Sequence, residues 1–230
     1  MIGRMRQLDH RLPQVAVPMA TATSSLLSKP CYDCMMRNTV RFLREFVCHP
    51  KRTGAVISSS KILAKAMVQA LGQPAPGSVI VELGPGTGPF TRALHRQLPD
   101  QRHIAIEHNG RFAELLRQRM PNTSVIEGCA SQLPKILDAA GVASKEVAGI
   151  ISGLPLISFP PTLRTDIFTA LAQVLGHGQP MVQFTYSLRC FRRLCPPAFT
   201  LEPHRRILLN CPPAQVVILR LAEACQPACV

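Results

Sequence analysis

With 230 residues, 47% of them apolar, the chain can build one well-cored domain with appendages and hardly two. Its formal net charge of +13 favours a polyanionic partner, either nucleic acid or an anionic membrane surface, and does not choose between them. No apolar run reaches the roughly 18 to 20 residues of a membrane-spanning helix, so no transmembrane segment is expected.

Residues 1–34 are basic and mix Pro, Ala, Ser and Thr without periodicity, which predicts a disordered segment. It lacks the compact apolar core of a signal peptide. Nine cysteines, an odd number, are therefore read as reduced thiols in a cytoplasmic protein. Cys31 and Cys34 have metal-ligand spacing, but no second pair completes a zinc site, and no metal is expected.

Met35–Val47 sets Met36, Val40, Leu43 and Val47 at helical spacing, with Phe42 and Phe46 alongside and Arg37, Arg41 and Arg44 on a neighbouring face. Such a basic amphipathic helix can lie in a membrane interface or pack on the protein's own core. After the break at His49-Pro50, a serine of the 58–60 run is expected to cap an apolar helix over 61–71. Residues 35–73 thus read as N-terminal helices, and 74–230 as the main domain.

Within that domain strand and helix patterns alternate. Strands are expected at 79–83, 103–107, 124–127, 147–152, 181–186, 207–210 and 216–221, with helices at 89–98, 110–120 and 161–175. The basic stretch 188–206 carries no readable pattern. This alternation implies an α/β doubly wound, mostly parallel sheet with helices on both faces and ligands at the carboxyl ends of its strands.

One stretch carries the chemistry. Val79-Ile80-Val81 is a buried strand, Glu82-Leu83 ends it, and Gly84-Pro85-Gly86-Thr87-Gly88 turns the chain into a helix. Alternate glycines permit positive φ and close approach of a ligand, and the following helix presents free N–H groups. The spacing is neither the dinucleotide fingerprint nor a P-loop. Glu82 repels a pyrophosphate and suits a cation. Glu107 ends the next strand about 20 residues on, where this type of fold places a carboxylate for ribose hydroxyls.

An acidic residue followed by G-x-G-x-G resembles motif I of class I S-adenosylmethionine-dependent methyltransferases. That resemblance implies S-adenosylmethionine as cofactor. Its pocket would be formed by Glu82, Gly84, Pro85, Gly86, Thr87, Gly88, Glu107, His108, Gly128, Cys129, Ala130, Ser152, Gly153 and Leu154. Cys129 stands where the family usually has Asp, and a thiol is a poor acceptor for the adenine amino group, so Ser131 or a backbone carbonyl would substitute.

The loop Ser152-Gly-Leu-Pro-Leu-Ile-Ser-Phe-Pro160 lacks the Asn and the aromatic with which adenine-N6 methyltransferases grip a base. It is similar to the loop of bacterial phospholipid N-methyltransferases, as are 49–67, Gln183–Tyr186 and Asn210–Ala214, a resemblance covering about residues 35–220. It implies stepwise methylation of phosphatidylethanolamine towards phosphatidylcholine by a monomer peripheral on the cytoplasmic membrane, with no nucleic acid bound. Arg37, Arg41, Phe42, Arg44, Phe46, Ser59, Ser60, Pro155 and Leu156 would then meet membrane or substrate. Tyr186 would orient the amine, its ring face attracting the partly methylated cation. The rival expectations are a ribosomal RNA adenine dimethylase relative and a non-catalytic membrane-binding module.

Overall fold

The computed structural model describes residues 54–210 and 212–222. The segment 1–34, the amphipathic helix Met35–Val47, and with it Arg37, Arg41, Phe42, Arg44 and Phe46, lie outside the described residues. So do the side chains of Ser59 and Ser60, although their backbone is helical.

The elements run α1 (Gly54–Gln69), β1 (Val79–Leu83), α2 (Pro89–Gln97), β2 (Arg102–Glu107), α3 (Gly110–Arg119), β3 (Ser124–Glu127) and α4 (Leu133–Ala139). They continue with β4 (Val147–Ser152), α5 (Pro161–Val174), β5 (Met181–Thr185), α6 (Leu188–Leu194), β6 (Phe199–Ile207) and β7 (Ala214–Leu221). The strands form one sheet in the order β3-β2-β1-β4-β5-β7-β6. The first five are parallel, and β7 is antiparallel to both β5 and β6. This is the mostly parallel, doubly wound sheet that the β-α alternation implied.

The apolar strands explain the layering. Every residue of β1 is buried, as a central parallel strand covered on both faces requires. One core layer joins Val81, Ile104 and Ile150 to Leu133, Leu137, Ile167 and Leu171 on α4 and α5. The other joins Ile80, Ile151, Val182 and Ile218 to Leu63, Met67, Phe90 and Leu94 on α1 and α2. Each fully buried Leu, Ile or Val contributes about 1.5–3 kcal/mol of transfer free energy, which makes this double layer the main source of stability.

Three expectations need correction. The first helix starts at Gly54, so Ser58, Ser59 and Ser60 lie inside it rather than capping it. The stretch 188–206 is not a featureless loop but holds α6 and most of β6. The strand expected at 207–210 ends at Ile207, and Leu208 to Asn210 form the turn that follows. β6 is an edge strand paired only with β7, and Glu202 to Arg206 are exposed, so it shows no apolar alternation in the sequence. Pro203 and a register shift before Arg205 mark it as an edge that resists further pairing.

Candidate cofactor and acceptor site

Strand register brings the chemistry to one line. At the carboxyl end of the sheet Leu83 stands beside both Ile106 and Ser152, and Ser152 beside Gln183. The Gly84–Gly88 turn crosses this end. Gly84, Gly86 and Gly88 have φ of 66°, 54° and 79°, in the left-handed region that disfavours every residue with a side chain. A Cβ on Gly84 or Gly88 would strike Leu154 or Leu116 at 2.7 Å, whereas a Cβ on Gly86 meets nothing within 4 Å. The middle of the turn therefore faces open space, and its flanks are packed.

Two carboxylates bracket that space. Glu107 is buried at the end of β2 and accepts from the Gly86 N–H through Oε2 and from the Asn109 N–H through Oε1, both at 2.9 Å. Each oxygen keeps a lone pair for an outside donor. Glu82 is buried too. Its Oε2 accepts from the Thr91 hydroxyl at 2.7 Å, while Oε1 has no hydrogen-bond partner. Burial raises the Glu82 pKa to about 7, the Thr91 contacts oppose the rise, and the Glu107 charge adds to it. A buried acceptor without a partner, beside a second carboxylate and an open glycine turn, fits a ligand bearing positive charge and vicinal hydroxyls.

The remaining expected residues fall around the same opening. Pro85 is buried and its carbonyl accepts from the Gly88 N–H, while the Thr87 carbonyl accepts from Arg92. His108 is exposed at the rim. The Gly128 N–H donates to the Glu107 carbonyl, which sets Cys129 and buried Ala130 next to the β2 end. The Ser131 hydroxyl donates to Cys129 Sγ at 3.1 Å, so an oxygen with free lone pairs lies beside the thiol.

The loop after β4 closes the site. The Gly153 N–H donates to the Leu83 carbonyl, and a Cβ at Gly153 would come within 2.6 Å of the Gly84 carbonyl oxygen. Only glycine lets the two loops touch this closely. The Leu154 carbonyl accepts from both the Leu156 N–H and Gln183 Nε2, which occupies its two lone pairs. Gln183 Nε2 also donates to the Phe184 carbonyl, while its Oε1 is buried without a partner. Pro155 is half-buried, and Leu156 is buried in the core at 2% exposure. Tyr186 lies just past β5, half-buried, with its ring edge-to-face on Phe184 at 5.6 Å. Phe184 in turn meets Phe90 at 5.9 Å.

Thr91 and Gln183 were not picked out as site residues from the sequence. The only signals were a polar residue on the buried face of α2 and the place of Gln183 in the Gln183–Tyr186 segment.

Comparisons with known proteins show the family and the fold. A family model described as ribosomal RNA adenine dimethylase matches residues 54–128, which hold the glycine turn and Glu107 but stop before the 152–160 loop. The ornithine lipid N-methyltransferase of Singulisphaera acidiphila is 34% identical over 194 residues, spanning 80% of this chain and 97% of its own. The chain belongs to that enzyme's methyltransferase family. Among solved structures, TrmN from Thermus thermophilus shares the fold with a TM-score of 0.59 at 17% identity, over 72% of this chain and 52% of its own. Magnesium protoporphyrin IX methyltransferase from Synechocystis, solved with bound S-adenosylmethionine, does so with a TM-score of 0.56 at 10% identity, over 86% and 99%. The protein is thus a class I methyltransferase dependent on S-adenosylmethionine, and the open turn, the unpartnered Glu82 oxygen and the Glu107 lone pairs fit that cofactor.

The methyltransferase site has a pH signature. In the unliganded protein, the raised Glu82 pKa means that the folded state holds this proton more tightly than the unfolded chain. Stability from this group is present below about 4.5 and declines as pH climbs to about 7. A cation beside Glu82 reverses the preference and expels the proton. Affinity for S-adenosylmethionine is therefore expected to rise with pH up to about 7 and to level off above it. Calorimetric titration across that range checks this, and Glu82→Gln should flatten the profile. A profile that Glu82→Gln leaves unchanged would assign the effect elsewhere.

Proposed function

We propose that the protein transfers methyl groups from S-adenosylmethionine to the primary amine of a membrane lipid head group. The observation that carries this reading is the 153–159 loop. Where base-modifying relatives of this fold offer an aromatic platform, Leu156 is buried in the core, and Gly153 stands where they offer an amide. Leu154, Pro155, Ile157 and Phe159 are partly buried and give the acceptor side an apolar lining. Such a lining suits a lipid and gives a flipped base neither stacking nor amide pairing. The ornithine lipid relative, matched almost end to end, supports the same class. Ornithine lipid and phosphatidylethanolamine both present a primary amine at a membrane surface, and the relative puts ornithine lipid first.

In this reading Glu107 takes the ribose hydroxyls and Glu82 takes the cofactor's ammonium. The backbone of Gly84–Gly88 lies along the rest of the cofactor, and Ser131 replaces the missing acidic contact to adenine. The cofactor supplies an electrophilic methyl group on a sulfonium. The protein's part is alignment and exclusion of water. Burial beside Leu154 and Pro155 favours the neutral, nucleophilic amine over the ammonium ion. Because the Leu154 carbonyl is already saturated, Gln183 Oε1 is a buried acceptor left to hold an amine N–H and turn the nitrogen lone pair towards the methyl. Tyr186, braced by Phe184, lies past the end of the same strand and offers its ring to a partly methylated, cationic product.

Labelled S-adenosylmethionine incubated in parallel with ornithine lipid vesicles, phosphatidylethanolamine vesicles and ribosomal RNA tests the reading. Label extracted as methylated lipid is the expected result. Label in RNA alone would overturn it and move the activity to the adenine dimethylases. Tyr186→Phe keeps the ring and is expected to change the ratio of mono- to multiply methylated product by no more than about threefold. Tyr186→Leu should arrest the reaction at an earlier methylation step, as chromatography of the extracted lipid would read. An identical product ratio in Tyr186→Leu would remove the ring's role.

A further inference from the structure

The β6–β7 turn carries two adjacent, strongly exposed leucines. Leu208 is 68% and Leu209 76% exposed, and the only other exposed large apolar side chain among the described residues is Ile62 on α1. Isolated surface leucines are ordinary, but a pair at a projecting turn, one residue after two arginines, is not. Arg205 and Arg206 are exposed at the end of β6 and make no ion pair among the described residues. Between the arginines and the leucines, Ile207 anchors the turn by packing into the layer shared with α1. The apolar tip is therefore held on a rigid base.

Its position gives it a use. Thr185 at the end of β5 pairs with Gln215, and Ile207 pairs with Ala214, so the turn projects from the carboxyl end of the sheet. That is the end at which Glu82, Glu107, Gln183 and Tyr186 gather. A lipid amine must reach this end from the plane of a bilayer.

We propose that the Leu208–Leu209 turn is a membrane-insertion element that seats the open end of the site on an anionic bilayer. The leucines enter the acyl boundary, and Arg205 and Arg206 rest on lipid phosphates, the placement that long basic side chains favour at interfaces. The charge complementarity of Arg205 and Arg206 selects an anionic lipid surface over an apolar partner protein. This inference rests on the lipid-methylating reading, and deepens it by naming the surface through which the substrate arrives.

The chain contains no tryptophan, so Leu209→Trp places a single reporter at the tip. The full-length variant is mixed with vesicles of phosphatidylcholine, with and without phosphatidylglycerol. The expected result is a blue-shifted emission, quenched by brominated acyl chains, that appears with the anionic vesicles. Emission that is unchanged by vesicles, or already blue-shifted and protected without them because another part of the chain or a second copy covers the turn, would overturn the proposal. In sedimentation, Leu208→Ser/Leu209→Ser should bind anionic vesicles about tenfold more weakly, with cofactor affinity intact. Vesicle binding equal to the parent would count equally against it. Failure of the lipid-methylating reading shows separately, as absence of label in any lipid whatever the emission does.

Discussion

Glu107→Ala is expected to weaken binding of S-adenosylmethionine by about a hundred- to ten-thousand-fold. The carboxylate ends β2 inside the protein, with one lone pair on each oxygen committed to the Gly86 and Asn109 N–H groups and one left over on each. Hydrogen bonds to a charged acceptor contribute roughly 1.5–3 kcal/mol each, so two ribose hydroxyls account for the span quoted. Removing the carboxylate also releases the Gly86 N–H, and with it the arrangement of the open middle of the turn. Glu107→Gln should be nearly as damaging, because an amide nitrogen facing either N–H group puts donor against donor. Calorimetric titration reads the affinity directly. Because Glu107 ends its strand at the rim of the site, most of the loss should fall on cofactor binding, with a comparatively small fall in the melting temperature of the free protein. A Glu107→Ala variant that binds the cofactor within a fewfold of the parent would remove Glu107 from the pocket.

The sequence made the place of Glu107 legible because that place depends on local grammar. A buried strand, a glycine turn and an acid at the end of the next strand follow one another within about 30 residues, as this type of fold requires. The same holds for β1 and for α5, whose first residue, Pro161, suits the start of a helix and whose Ile167, Phe168, Leu171 and Val174 face the core. β6 was illegible for the opposite reason. Its strand conformation comes from pairing with β7, and its outward residues Glu202 to Arg206 carry no apolar alternation. Reading 207–210 as a strand missed the turn that holds Leu208 and Leu209, the most exposed leucines described. Charge and hydropathy along the chain could not tell an inward from an outward apolar pair; only the register of β6 against β7 does. Site partnerships were hidden in the same way. The bond from Gly86 to Glu107 spans 21 residues, and that from Gln183 to the Leu154 carbonyl spans 29.

That last partnership leads to a second large effect, on turnover and not on cofactor affinity. Gln183 is buried beside Ser152 and does two things at once: Nε2 ties the Leu154 and Phe184 carbonyls together, and Oε1 is left without a donor. An unpartnered buried carbonyl costs on the order of 1–3 kcal/mol, so its persistence beside the acceptor loop is explained if an incoming N–H completes it. Gln183→Leu keeps the volume and removes both functions. The loop loses its tie and the amine its acceptor, and a displacement of about 1 Å between reacting atoms is enough to slow transfer roughly a hundredfold. The expected outcome is kcat on aminolipid vesicles lowered by about that factor, with the cofactor dissociation constant and the KM for lipid within a fewfold of the parent. A purely structural role would divide differently: it would lower the melting temperature and loosen the Gly84 turn through Leu154, raising the cofactor dissociation constant in step with the fall in kcat. Gln183→Glu separates the functions further. Its carboxylate can still accept from the amine, but it faces the Leu154 and Phe184 carbonyls with no donor, so the loop should move while the acceptor remains. Turnover in Gln183→Glu closer to the parent than in Gln183→Leu would assign the larger share to the amine contact. Equal losses would assign it to the tie that holds the loop. Parent-like kcat in both would show that neither function of Gln183 reaches the chemical step.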